Sequence, residues 1–200
     1  MVSLARRDST PSGQLAPVFP TPALRGTRVN PREVASRLAP AVRWPGAPVT
    51  DRRAWRLMAR TPDFDAWLIA WPSGGKVDLH DHGHSTGAVS VISGALVEAV
   101  PWRDDTGRLS LVRHELQAGA TLGFGAGHVH DVTNESDQQA LSLHVYSPAL
   151  TSMTFYEVAG DRLVVREVAW TDDGSGEFED AATLEQARQT QRGGLAAASR

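Results

Sequence analysis

The chain contains no cysteine among its 200 residues. This absence excludes disulfide bonds, thiolate metal ligands and a cysteine nucleophile, and it fits a cytoplasmic protein. Any metal ion that the chain binds must therefore be held by nitrogen and oxygen atoms.

Long hydrophobic runs and dense positive charge are also absent. No apolar run approaches the roughly 20 residues that a transmembrane helix needs, and the first residues lack the hydrophobic region of a secretory signal. The net charge is −3 and the basic residues form no concentrated stripe. We therefore expect neither nucleic acid nor a membrane as a partner.

Composition divides the chain into three parts. Residues 1–27 are rich in Pro, Ser, Thr and Arg without apolar periodicity, which predicts a flexible N-terminal arm. Residues 171–200 are acidic and then rich in Gln and Ala, which predicts a flexible C-terminal tail. Residues 28–170 are expected to form one domain, and we expect a monomer.

Two short helices are predicted near the start of this domain. Asn30 suits an N-cap and Pro31 the first helical position, and Pro40 would end the first helix. A second candidate helix lies near residues 51–60.

From Phe64 onward the pattern is that of short strands separated by turn formers. Many short strands at regular spacing predict an all-β sandwich or barrel. The predicted strands are Phe64–Trp71, Val77–His82, Gly87–Ser93, Ala95–Trp102, Leu109–Leu116, Ala120–Phe124, His128–Asn134, Ala140–Tyr146, Met153–Val158 and Leu163–Ala169.

Histidines cluster in two of these segments. His80 and His82 occupy positions i and i+2 of a predicted strand, so both imidazoles can point to one face and chelate a metal. His128 and His130 form a similar pair. An isolated pair of this kind is more often a chance surface feature, and neutral imidazole suits iron, zinc, copper and nickel alike.

The glycines around these histidines carry a resemblance to a known superfamily. The segment Gly74–Gly94, with His80 and His82, resembles the first cupin motif, and the segment Gly119–Asn134, with His130, resembles the second. The resemblance implies a cupin fold, a double-stranded β-helix or jelly-roll barrel.

The resemblance also has one informative departure. The metal-binding glutamate usual in the first motif is missing, since its two candidate positions are Thr86 and Gly87. A site of three neutral histidines is implied, with open positions for an anionic substrate and oxygen.

Three short segments narrow the resemblance to the thiol dioxygenases, most closely the bacterial cysteine dioxygenases. They are residues 80–85, 127–134 and 142–148, within a resemblance that covers residues 53–150. It implies that His80, His82 and His130 hold one Fe(II) per chain. It further implies that the partners are a small-molecule thiol and O2, and that the product is a sulfinic acid.

The third segment implies a hydrogen-bonded relay. Ser142, His144 and Tyr146 match the family's outer-sphere Ser-His-Tyr set, in which the tyrosine hydroxyl lies near iron and substrate. The spacing is consistent with this role, because positions i, i+2 and i+4 of a strand share one face. Buried core residues with satisfied polar groups are the alternative interpretation.

In the family, an arginine upstream of the first motif holds the substrate carboxylate, while relatives that act on 3-mercaptopropionate carry glutamine there. Alignment places Arg56 at this position, with Arg53 and Arg60 as rivals. A guanidinium grips a carboxylate through two hydrogen bonds. A solvated surface arginine is the alternative.

The hypothesis is therefore an iron-dependent thiol dioxygenase that converts L-cysteine to cysteine sulfinic acid in cysteine catabolism. Dioxygenation of 3-mercaptopropionate or another small thiol is the nearest alternative. A non-catalytic cupin that binds a small molecule is more distant. A different metal activity, such as an isomerase, is disfavoured because such cupins usually keep the glutamate that is missing here.

Overall fold

The computed structural model describes residues 29–45 and 52–170. The predicted arm (1–27) and tail (171–200) lie outside the described residues, so the domain limits remain predictions. Within the two described ranges, no helix is long and apolar enough to cross a membrane.

The helix α1 (Pro31–Leu38) precedes the strands and is followed by a 3-10 turn at Ala39–Ala41. Its start is as predicted, because the Asn30 side chain accepts a hydrogen bond from the Arg32 backbone N–H at 3.1 Å.

Within the described residues, eleven strands form two antiparallel sheets. The five-stranded sheet has the order β1-β2-β9-β4-β7 and the six-stranded sheet the order β11-β10-β3-β8-β5-β6. The predicted fold class, a mostly β double-stranded β-helix, is confirmed. The strands are β1 (Ala54–Arg60), β2 (Asp65–Trp71), β3 (Lys76–Asp81), β4 (Thr86–Ser93), β5 (Ala95–Arg103), β6 (Leu109–Gln117), β7 (Thr121–Phe124), β8 (His130–Thr133), β9 (Ala140–Ser147), β10 (Ser152–Ala159) and β11 (Arg162–Trp170).

The second predicted helix, near residues 51–60, is wrong, because residues 54–60 form strand β1. This strand pairs with β2 from Ala54 opposite Ala70 to Arg60 opposite Asp65. Its Ala, Leu, Met and Arg residues are good helix formers, but pairing along β2 overrides that preference.

Strand β2 is buried on both faces and separates two apolar clusters. Trp67, Ile69 and Trp71 point into the space between the two sheets. Ala66 and Leu68 point the other way and pack in the cluster that includes residues of α1. Side chains of β1 and β9 that share a face with Trp71 therefore also point between the sheets, where the predicted metal ligands and relay residues lie.

Candidate active site

The structure brings His80, His82 and His130 together between the sheets. His80 lies in β3 directly opposite His130, the first residue of β8. His82 follows β3 two residues after His80 and lies on the same side. One ring nitrogen from each histidine lies within 4.8 Å of the others. The three residues are only 1%, 2% and 2% exposed.

Asp81, between the first two histidines, is held by a separate set of contacts. The Tyr156 hydroxyl donates to Asp81 Oδ2 at 2.6 Å, and the Gly83 backbone N–H donates to Oδ1 at 2.8 Å. Burial and the hydrogen bond to Asp81 raise the pKa of Tyr156 to about 12. These contacts fix the turn that follows β3 and so hold the flanking imidazoles in place.

Hydrogen bonds determine which ring nitrogen of His80 is protonated. His80 Nδ1 lies 2.8 Å from the Asp78 carbonyl oxygen, which can only accept, so Nδ1 carries the proton. Burial, together with the nearby His130, lowers the pKa of His80 well below its usual range. Burial, followed by the effect of His80, does the same for the pKa of His82. Both imidazoles are therefore neutral, and His80 Nε2 presents a lone pair.

These three histidines fit a metal ion. His130 Nε2 is buried and makes no hydrogen bond to any described residue. His80 Nε2 and His82 Nε2 lie only 3.2 Å apart. Two nitrogens bound about 2.1 Å from one metal ion are separated by roughly 3.0–3.4 Å in tetrahedral or octahedral geometry. Neutral buried imidazoles, converging nitrogens and an unsatisfied buried ring atom are together what a metal site requires.

Glu98 is a residue of this site that sequence reasoning missed. It lies on β5 and is 2% exposed. Its Oε1 accepts from His130 Nδ1 at 2.7 Å and from His128 Nε2 at 2.9 Å. Burial alone would raise the pKa of Glu98, but these hydrogen bonds outweigh it and lower the pKa to about 2. The carboxylate thus fixes the His130 proton on Nδ1 and leaves Nε2 for the metal.

The predicted relay residues are also brought together, on strand β9. Ser142 Oγ lies 2.9 Å from His144 Nε2, and His144 Nδ1 lies 3.2 Å from the Tyr146 hydroxyl. The Tyr146 and His82 ring centroids are 4.7 Å apart. The relay therefore ends beside the histidine cluster.

Trp71 extends this chain of hydrogen bonds by one residue. Its Nε1–H donates to Ser142 Oγ at 2.8 Å. The indole is fully buried. The contact adds a polar role, because an indole N–H only donates and so occupies an acceptor site of the serine.

The structure does not bring Arg56 to this site. Arg56 lies opposite Leu68, on the outward face of the sheet, and its side chain is exposed. Arg53, three residues earlier, lies just before β1 on the inward side. Its guanidinium carbon is 5.3 Å from the centroid of the Trp71 ring and 5.5 Å from that of Trp55. Its charge contributes to the lowered pKa of His80.

The third candidate arginine, Arg60, pairs with a buried carboxylate. Its Nη2 donates to Asp65 Oδ2 at 3.0 Å. Burial raises the pKa of Asp65 although Arg60 opposes this effect. Of the three arginines, Arg53 is the one whose guanidinium lies over Trp71, the indole that donates to Ser142.

The remaining histidines lie apart from the cluster or at its edge. His84 and His114 are exposed. His128 is half-buried and lies at the edge of the cluster, with a hydrogen bond to Glu98 and a ring centroid 5.0 Å from that of His130. It precedes β8 and is not part of that strand.

A family model described as cysteine dioxygenase type I matches residues 35–159. Similar solved structures include KdgF from Halomonas sp., at 18% identity over 48% of this chain and 78% of that one, with a TM-score of 0.41.

Two further similar structures are cupin domains. The Schizosaccharomyces pombe Cnp3 cupin domain matches at 10% identity over 48% of this chain and 60% of that one, with a TM-score of 0.41. A cupin domain from Bordetella pertussis Tohama I matches at 17% identity over 52% of this chain and 100% of that one, with a TM-score of 0.39. These likenesses concern the fold alone.

Proposed function

The chain belongs to the cysteine dioxygenase type I family, and from this premise we propose that it is an Fe(II)-dependent dioxygenase of a small thiol carrying a carboxylate, with L-cysteine as the preferred substrate. Both atoms of O2 are added to the substrate sulfur, so a thiol becomes a sulfinic acid. The sulfur supplies the four electrons that O2 takes up, and no external reductant is needed.

The observation that carries the proposal is the convergence of three neutral histidines with a hydrogen-bonded tyrosine beside them. His80, His82 and His130 would hold the iron through ring nitrogens that already face one another. Bound iron would supply the affinity for thiolate and the redox chemistry toward O2. Because the three ligands are neutral, a negatively charged thiolate is favoured in the remaining positions.

Trp71 begins the proposed relay. Its N–H donates to one acceptor site of Ser142 Oγ, and in this relay the serine hydroxyl donates to His144 Nε2. A neutral His144 then carries its proton on Nδ1 and donates to the Tyr146 oxygen. The Tyr146 hydroxyl proton is thereby directed away from His144, toward the substrate. In this role Tyr146 donates a hydrogen bond to the reacting oxygen or to the substrate carboxylate.

We assign the substrate carboxylate to Arg53 in place of Arg56. Arg53 is held by stacking over Trp71 and Trp55, and its Nη1 is buried. A guanidinium positioned in a water-poor space binds a carboxylate more strongly than an exposed one does. Arg56 faces outward, and the positive charge of Arg60 is offset by Asp65.

Oxygen consumption by Fe(II)-loaded protein tests the proposal. L-cysteine, 3-mercaptopropionate and cysteamine are offered separately, and the products are identified by mass spectrometry. We expect O2 uptake matched by sulfinic acid formation, with cysteine the best substrate and cysteamine, which lacks a carboxylate, poor. Preference for 3-mercaptopropionate would keep the reaction and change the substrate. A protein that oxidises none of the three would not be a dioxygenase of such thiols.

A further inference from the structure

Phe124, the last residue of β7, lies between the histidine cluster and solvent. Its ring centroid is 5.1 Å from that of His82 and 5.2 Å from that of His130. The Tyr146 ring lies 6.4 Å away. These three neighbours are at most 2% exposed, whereas Phe124 is half-buried. The phenylalanine ring therefore covers the metal centre on one side.

Two imidazoles hold this ring in place. The Phe124 ring stacks on His82 with an interplanar angle of 24° and on His128 with an angle of 19°. His128 is itself tied to Glu98 by a hydrogen bond. Because stacked contacts on two neighbours fix the ring orientation, Phe124 is a rigid wall.

Gly87 supplies the space that the ring occupies. It is paired with Phe124 on one side and with Tyr146 on the other. A Cβ atom at Gly87 would lie 2.3 Å from Phe124 Cε2 and 3.1 Å from Tyr146 Cδ1. The backbone of Gly87 is not in the left-handed region, so this glycine is required for space and not for conformation.

We propose that Phe124 determines substrate specificity, as the wall that restricts the site to thiols without substituents beside the sulfur. This assignment rests on the proposed function. The ring is flat and has no hydrogen-bonding group, and it faces both Tyr146 and two metal-binding histidines. A substrate whose sulfur sits beside those histidines must place its adjacent carbon against this wall, and added methyl groups there collide with it.

Thiol binding to the Co(II)-substituted protein tests the proposal without requiring turnover. Absorption titrations compare cysteine with penicillamine, which differs only by two methyl groups on the carbon that bears sulfur. We expect the wild type to bind cysteine at least about 10-fold more tightly, within the range that a methyl group imposes in a tight pocket. Phe124→Ala should reduce this preference about 10-fold, and Phe124→Leu should fall between.

Trp102→Ala is the matched control, because it removes an aromatic ring that is 53% exposed on β5, away from the site. It should keep the wild-type preference. If Phe124→Ala and Phe124→Leu both keep the wild-type ratio of dissociation constants, the assignment of Phe124 is overturned.

A double-mutant comparison tests the packing independently. Gly87→Ala should lower the melting temperature and the affinity for cysteine, because its methyl group displaces the Phe124 ring. The same change should cost less in a Phe124→Ala background, since the colliding ring is gone. Equal costs in both backgrounds would overturn the steric coupling.

The two hypotheses fail in different ways. If the protein consumes no O2, the proposed dioxygenase activity is refuted. If it still prefers cysteine to penicillamine and loses that preference in Phe124→Ala, the role of Phe124 is supported even so. If the protein oxidises cysteine but Phe124→Ala keeps the wild-type size preference, only the role of Phe124 is refuted. A wild-type protein that binds no thiol overturns both.

Discussion

The Glu98 carboxylate accepts a hydrogen bond of 2.7 Å from the Nδ1 of His130, and both residues are 2% exposed. The glutamate that is usual in the first cupin motif is absent, since its two candidate positions are Thr86 and Gly87. A carboxylate is nevertheless present next to the histidine cluster, one hydrogen bond behind the proposed ligand His130. In this position it orients the imidazole and increases its basicity without adding negative charge to the set of ligands.

Glu98→Gln should therefore weaken metal binding about 10- to 100-fold, the usual cost of losing such a partner. Competition with a chromogenic chelator measures the affinity. Glu115→Gln, an exposed residue of β6, removes the same charge and should leave the affinity unchanged. Equal affinities in the two variants would mean that Glu98 does not support the metal.

The sequence does contain a signal for Glu98 that went unused. Glu98 is the only charged residue between Ala95 and Trp102 in an otherwise apolar predicted strand, and it lies two residues from Leu96, which is fully buried. Because residues two apart on a strand share a face, Glu98 is expected to point inward with Leu96. Its partners could not be read from the sequence, because His128 and His130 meet it only through the pairing of β5 with β8.

The metal ligands themselves can be tested by substitution. His80→Ala, His82→Ala and His130→Ala should each reduce bound iron from about one per chain to a small fraction, because each removes one of three nitrogen ligands. Elemental analysis measures the iron, and circular dichroism checks that the fold is kept. His114→Ala is the exposed control. If His128→Ala abolished binding and His130→Ala did not, the ligand set would be wrong.

The relay can be tested with substitutions that leave the ligands in place. Tyr146→Phe should keep iron and lower kcat about 10²- to 10⁴-fold, because it removes one hydrogen-bond donor near the reacting atoms. Trp71→Phe should cost less, since it removes the N–H that donates to Ser142 but keeps an aromatic ring at the position that Arg53 contacts. Trp102→Phe is the exposed control. Unchanged turnover in Tyr146→Phe, measured by O2 uptake, would reduce the relay to core packing.

The difference between Arg53 and Arg56 shows where sequence reasoning reached its limit. The facing of the histidine pair and of the relay residues was predicted correctly because their strands were identified. In a strand, residues two apart point to the same face. Residues 54–60 instead suggested a helix, in which alternate residues do not share a face. Only the pairing of Trp55 with Ile69 and of Arg56 with Leu68 shows that Arg56 points outward.

The choice between these arginines gives the last prediction. If Arg53 binds the substrate carboxylate, Arg53→Gln should lower kcat/KM for cysteine. Removing one partner of a buried charged pair costs about 2–5 kcal/mol, which corresponds to roughly 30-fold to several thousand-fold. Turnover of cysteamine, which has no carboxylate, should hardly change.

Arg56→Gln is the matched control, since it makes the same change three residues away on the outward face. It should leave cysteine oxidation at the wild-type level. Arg60→Gln should instead lower the melting temperature, because it leaves the buried Asp65 carboxylate without its ion pair. Steady-state O2 uptake with both thiols separates the cases. Loss of cysteine turnover in Arg56→Gln with normal turnover in Arg53→Gln would restore the sequence alignment and would require β1 to present its other face to the substrate.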